Sequence, residues 1–197
     1  MTAIVLGATG ATGSDLLKQL LNDEVFDRII IFVRRKIDLL HPKLQIQEVN
    51  FDEPEHWKHL VKGDVLFSCL GTTLKTASSK AGQWKVDYEY QLAFAKAASE
   101  NKVTHYVLVS AKLASSKSIF FYSKMKGKLE DAVRELTFQK LNIFNPPLLL
   151  RKNTDRTGEK IAYKIIHTLN KIGLLLSQKP LDTEELAREM VRVVKEI

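Results

Sequence analysis

Three glycines, at positions 7, 10 and 13, stand between an apolar run and an amphipathic one. Thr2 to Leu6 reads as a short buried strand. Thr12 to Asn22 carries Leu16, Leu17, Leu20 and Leu21 at helical spacing. A strand passing straight into a helix through Gly7-Ala8-Thr9-Gly10-Ala11-Thr12-Gly13 needs its first glycine for the sharp bend. The second lets a pyrophosphate approach the backbone, and the third lets helix and strand pack closely. Backbone N–H groups and the helix dipole then face the phosphates. Gly7, Thr9, Gly10, Ala11, Thr12 and Gly13 are therefore expected to form a dinucleotide cradle. No Gly-Lys-Ser/Thr follows, so this is not a nucleotide-triphosphate loop. A glycine-rich turn without a ligand is the alternative.

The rest of the chain alternates. Strand-like runs fall at Arg28 to Val33, Leu44 to Val49, Val65 to Leu70, His105 to Val109 and Leu141 to Phe144. Helical patterns fall at Pro54 to Leu60, Asp87 to Ser99 and Tyr122 to Phe138. That order points to an α/β, Rossmann-type doubly wound parallel sheet with helices on both faces. Ligands of such sheets bind beyond the carboxyl ends of the strands. Residues 1–197 suit one domain. Within it, 151–180 reads as a small C-terminal substrate-side lobe with a helix over Ile161 to Leu169. Residues 182–197 read as a packing helix, opened by Asp182 and Glu185 at capping-box spacing.

Composition excludes several classes. One cysteine in 197 residues leaves no disulfide framework and no Cys-rich metal site. Thirty Lys and Arg against 23 Asp and Glu give +7, but the cations are spread and alternate with acids along helices. The expectation is a solvated surface with one or two functional cations, and no nucleic-acid partner. No apolar run approaches the ~20 residues of a membrane span, so no membrane partner is expected. The N-terminus runs directly into a strand without a charged leader, and the simplest placement is a reducing cytosol.

The second strand ends in Val33-Arg34-Arg35-Lys36. An acid here would accept from a ribose 2′-hydroxyl, whereas Arg pairs with a 2′-phosphate. Arg34 and Arg35 therefore favour NADP(H) over NAD(H). Asp52, after the third strand, either accepts from an adenine amino group or caps the Pro54 helix. Cys69-Leu70-Gly71-Thr72-Thr73 ends the fourth strand, where Gly71 lets backbone pass close to a ribose. Cys69 reads as a small buried hydrophobe.

Tyr122 and Lys126 open the long helix four residues apart, on one face. Hydride transfer at a carbonyl carbon needs a proton moved on or off the oxygen. A phenol near pKa 10 is a poor base at neutral pH, and a neighbouring cation lowers it. Tyr88, Tyr90, Tyr106 and Tyr163 have no Lys four residues on. Ser110, at the fifth strand's end, is the candidate that orients the carbonyl; Ser115 or Ser116 are substitutes.

Together these motifs, with Lys85-Val86-Asp87-Tyr88, Tyr122-x-x-x-Lys126-Gly127 and Gly158-Glu159, resemble the short-chain dehydrogenase/reductase superfamily. More narrowly the chain resembles its atypical branch of Tat-interacting-protein-like oxidoreductases, through nearly its whole length. The resemblance implies a Rossmann sheet, NADPH, and Tyr122 as proton donor or acceptor. It implies cofactor contacts at Gly10, Ala11, Thr12, Arg34, Arg35, Leu70, Gly71, Tyr122, Lys126, Leu149 and Arg156, with Thr72 beside them. Two departures stand out. A Ser-Ser pair after the fifth strand is here Ser110-Ala111, and an Arg before the first Pro of the last motif is here Asn145.

Several signals are set aside. His56 and His59 lack a third metal ligand, and Asp87 reads as a helix cap. Trp57 and Trp84 read as core or rim cover, and Lys75 and Lys80 as loop charges. Two functions follow. One is an NADPH-dependent oxidoreductase acting on a small carbonyl or alcohol, with a homodimer through the Tyr122 helix as a reasonable assembly. The other is an NADPH-binding sensor on the same fold, without turnover.

Overall fold

The computed structural model describes residues 1–147, 149, 150 and 181–196. The expected lobe over 151–180, its helix, Arg156 and Gly158-Glu159 lie outside the described residues. Six parallel strands form one sheet: β1 (Thr2–Leu6), β2 (Arg28–Val33), β3 (Leu44–Glu48), β4 (Val65–Ser68), β5 (His105–Val109) and β6 (Lys140–Phe144). Their order is β3-β2-β1-β4-β5-β6. Ile4 lies beside Ile30 on one side and Leu66 on the other. The direction of winding reverses between β1 and β4, so a crevice opens beyond their carboxyl ends.

The central strands β1, β2 and β4 are buried on both faces because helices cover both. Ala3 and Val5 of β1 face one core, with Ile29 and Ile31. That core is closed by α1 (Ala11–Asn22) and by the C-terminal helix Thr183–Lys195. Ile4 and Leu6 face the other core, with Ile30, Phe32, Leu66 and Leu108. Trp57 and Phe94 stack there with centroids 3.9 Å apart, so of the two readings, core or rim cover, Trp57 is core.

The C-terminal helix, expected over 182–197 with a cap at Asp182 and Glu185, runs Thr183–Lys195 and is capped through Glu184 instead of Glu185. The Asp182 side chain accepts from the Glu184 N–H, and Leu186, Met190 and Val194 are buried. Thr183 Oγ1 donates to Asp15 Oδ2 at 2.6 Å, tying this helix to α1. A two-stranded parallel pair, β7 (Leu149–Leu150) and β8 (Leu181–Asp182), lies just before it.

Two boundaries differ from the sequence reading. The helix opened by Tyr122 runs Phe121–Arg134, not to Phe138. Its chain turns earlier so that Phe138 packs on Tyr106, with centroids 5.1 Å apart. The helix expected from Asp87 begins earlier, with its N-cap at Ser79. It runs α-helical over Lys80–Trp84, π-helical over Lys85–Tyr90 and α-helical again over Gln91–Glu100. Asp87 is therefore no cap; it sits inside the π-helical turn.

Candidate active site

The cradle is built from backbone. Gly7 has φ +84, which L side chains rarely adopt, and a Cβ there would lie 2.7 Å from the Cys69 carbonyl carbon. Gly10 donates its N–H to Gly7 O at 2.9 Å and stands at the N-cap of α1 with no side chain to cap the helix. The first turn of α1 carries no acid. Free N–H groups, the positive end of the helix dipole and room only for a main chain fit a bound pyrophosphate.

A cavity of about 420 Å³ opens over this turn at the carboxyl ends of the strands. Its walls bring together Gly7, Thr9, Gly10, Ala11, Thr12, Arg34, Leu70, Gly71, Thr72, Ser110, Tyr122, Lys126 and Leu149. Gly13 lies beneath it as the packing residue: a Cβ there would come within 2.1 Å of Gly7 O. Arg35 and Asp52 are not among its walls. Arg34 lies over the Phe51 ring, 5.9 Å from its centroid, which steadies an otherwise exposed guanidinium.

Asp52 does not cap the Pro54 helix, and its partners are side chains. It accepts from Tyr90 Oη at 2.8 Å and pairs with Lys85 Nζ at 2.7 Å. The Pro54 helix has Glu53 at its N-cap, without a side-chain bond. The partners of Asp52 lie on the π-helical turn, far along the chain, so local spacing could not reveal them.

Lys126 is almost wholly buried, its side chain 4% exposed, and Asp87 is 1% exposed beside it. Lys126 Nζ stands 3.9 Å from Asp87 Oδ1. The Asp87 carboxylate accepts from the Thr72 N–H at 3.1 and 3.3 Å. Burial pushes the Asp87 carboxyl up, opposed by the Lys126 charge and the Thr72 bond. Burial pushes the Lys126 ammonium down, opposed first by Asp87 and then by Glu130 and Cys69. The Tyr122 phenol is pushed up to about 12, by desolvation first and then by Asp87. Desolvation, with the Asp87 charge second, thus sets this phenol above its ordinary range although Lys126 shares its helix face. Asp87 is the site residue that sequence reasoning missed. Its signal lies in the Lys85-Val86-Asp87-Tyr88 motif, where a helix cap is the simpler reading of the sequence.

Ser110 is 6% exposed in the same cavity. Its Oγ donates to Glu130 Oε1, which also accepts from Asn145 Nδ2 at 2.7 Å. Asn145 Nδ2 reaches Ala111 O as well, at 3.1 Å. Asn145, one of the two departures, thus joins the sixth strand's end to the helix by hydrogen bonds. Glu130 follows Lys126 as Lys126 follows Tyr122, so all three share a helix face. Ser115 and Ser116 are not among the cavity walls. They pack on Gly127, whose added Cβ would lie 2.1 Å from the Ser115 carbonyl carbon. Gly127→Ala is expected to displace this exposed loop and cost about 1–2 kcal/mol. A thermal melt reads the cost; an unchanged melting temperature would show that the loop is free to move.

Cys69 lines the cavity, half-buried, and desolvation pushes its thiol up to about 12, which disfavours the thiolate. Among the described residues no cluster of three or more His, Cys, Asp or Glu could hold a metal ion.

Residues 7–164 match the model of the NAD(P)H-binding family. The chain is 34% identical over 179 residues to protein fmp52-2, mitochondrial, of Aspergillus oryzae, spanning 87% of this chain and 76% of that protein. It is 34% identical over 173 residues to protein HTATIP2 of Rattus norvegicus, spanning 85% of this chain and 71% of that protein. Among solved structures, the enzyme WbmH of Bordetella bronchiseptica in complex with NAD+ shares the fold. The TM-score is 0.70 at 16% identity, over 98% of this chain and 72% of that one. The expected cytosolic placement is corrected by these relatives, since the Aspergillus protein is named mitochondrial, as is FMP52 of Candida albicans. The fold of a domain and a low cysteine count do not encode its compartment.

Proposed function

The chain belongs to the NAD(P)H-binding family, in the atypical short-chain dehydrogenase/reductase branch, and from that premise we propose that it is an NADPH-dependent oxidoreductase acting on a small carbonyl or alcohol. The observation that carries this reading is one cavity walled by the glycine cradle, by Arg34 at the end of β2, and by Tyr122 and Lys126 of one helix. When bound, the nicotinamide supplies or accepts a hydride at the substrate carbon. The chain's part is to hold the phosphates on the α1 N-terminus and to move a proton at Tyr122 Oη. Lys126 holds the ribose and supports the phenolate that forms. Ser110 orients the substrate oxygen only after its hydrogen is released from Glu130. The relatives' names support a mitochondrial location.

The test is titration of the protein with NADPH and, separately, NADH, following nicotinamide fluorescence. NADPH is expected to bind at least about tenfold more tightly. Arg34→Ala should remove most of that preference, because charge-assisted hydrogen bonds contribute about 1.5–3 kcal/mol. Equal affinity for the two, or binding of neither, would overturn the assignment. The second reading, a sensor without turnover, is favoured by the commitment of Ser110 to Glu130. A protein that prefers NADPH yet reduces no carbonyl in a broad screen would support it.

A further inference from the structure

We infer that Asp87, fixed in the wall of the cavity beside Lys126, acts as a positioning residue that offsets the Lys126 charge next to Tyr122 and so favours proton donation from the Tyr122 hydroxyl to a carbonyl oxygen over proton abstraction by it. The inference deepens the proposed oxidoreductase reading and rests on it for its chemical meaning.

The geometry leaves Asp87 little freedom. It lies in the π-helical turn, a feature that inserts an extra residue into a helix and re-aims its side chains. Its carboxylate accepts from the Thr72 N–H. Gly71 leaves it room, since a Cβ there would stand 3.2 Å from Asp87 Oδ1. Its backbone carbonyl accepts from Gln91 Nε2 at 2.8 Å, and Gln91 Oε1 in turn accepts from Ser68 Oγ. This buried chain of bonds fixes a carboxylate 3.9 Å from the Lys126 ammonium, which shares a helix face with Tyr122.

The surroundings of Tyr122 agree. On its own helix, Lys126 and Glu130 follow it, and Glu130 acts on Lys126. Just beyond β4, Cys69 is the last of the groups that act on Lys126, and its thiol is pushed up by burial. Arg34 lines the cavity from the end of β2, and Lys80 stacks on the neighbouring Phe121 ring, 5.6 Å from its centroid. Asp87 is the group that opposes Tyr122 ionisation after desolvation itself. In a reduction the substrate carbon takes a hydride with its electron pair, the oxygen takes the proton from Tyr122 Oη, NADPH leaves as NADP+, and solvent reprotonates the phenolate. A tyrosine held as phenol starts that sequence in the required state. The reverse reaction must first remove its proton, so it is displaced to higher pH.

The test is ultraviolet titration of tyrosinate, taking the difference between each protein and its Tyr122→Phe partner, so that Tyr122 alone is read. In the wild-type protein the midpoint is expected above the ordinary tyrosine value of about 10. In Asp87→Asn, which keeps an oxygen for the Thr72 N–H, it is expected to fall by about one pH unit or more. The pH optimum for oxidation of a simple secondary alcohol with NADP+ should fall with it. A wild-type midpoint at or below the ordinary value overturns the inference, even if the variant fails to fold. So does an unchanged midpoint in folded Asp87→Asn. The titration needs no cofactor, so its outcome is separate from that of the NADPH and NADH titrations.

Discussion

Gly13→Ala is expected to abolish nicotinamide-cofactor binding and to cost about 3 kcal/mol of stability, the upper end of what overpacking produces. The new Cβ would stand 2.1 Å from Gly7 O and 2.7 Å from Gly7 C. Both are backbone atoms, and Gly7 itself is confined by its φ of +84 and by the β4 end, where Cys69 and Leu70 crowd it. The remaining relief is to lift the start of α1 away from β1. That movement takes the free N–H groups out of line with a bound pyrophosphate. For a chain of this length the melting temperature should fall by roughly 6–12 °C. Gly10→Ala is the control for stability alone, because its Cβ would lie 3.2 Å from Gly7 O and needs only a small adjustment of the fold. A Gly13→Ala protein that melts like wild type and binds NADPH would show that the turn does not form the cradle.

Tyr122→Phe is expected to lower carbonyl reduction by about 10²–10⁴-fold, the usual contribution of a positioned proton donor. NADPH affinity should stay within about twofold, because the cradle and Arg34 are untouched and Lys126 keeps its counter-ion. Steady-state rates with NADPH and a panel of small carbonyls measure the first quantity, and fluorescence titration the second. Loss of both together would mean that the ring shapes the cofactor site instead of moving the proton. Retained turnover would remove Tyr122 from the chemistry.

Much of this molecule is legible in its amino-acid sequence. The β1 and β2 strands are continuous apolar runs because both sheet faces are covered, and their limits follow from where those runs stop. The glycine turn was legible because its requirements are steric and local: a positive φ at Gly7 and a close packing at Gly13. Tyr122 and Lys126 could be paired because helical spacing puts them on one face. The roles of Asp52, Asp87 and Ser110 were not legible. Asp52 finds Lys85 and Tyr90, Asp87 finds Lys126 and Thr72, and Ser110 finds Glu130. Each partner comes from another element, and nothing in local periodicity encodes which element folds alongside. The π-helical turn was hidden for a related reason. Its residues have ordinary helical character, and the extra residue shows only in the hydrogen-bond register.

By itself, then, the sequence determined a doubly wound parallel sheet, a phosphate-sized turn at the start of α1, and a tyrosine–lysine pair on one helix face. These depend on backbone sterics and on the burial pattern of neighbours in the chain. Only the tertiary structure decided the charge balance around that pair. It set a buried carboxylate against Lys126 and tied Ser110 to Glu130. Desolvation and Coulomb interactions depend on distances through space, and those exist only once the strands and helices have been packed together.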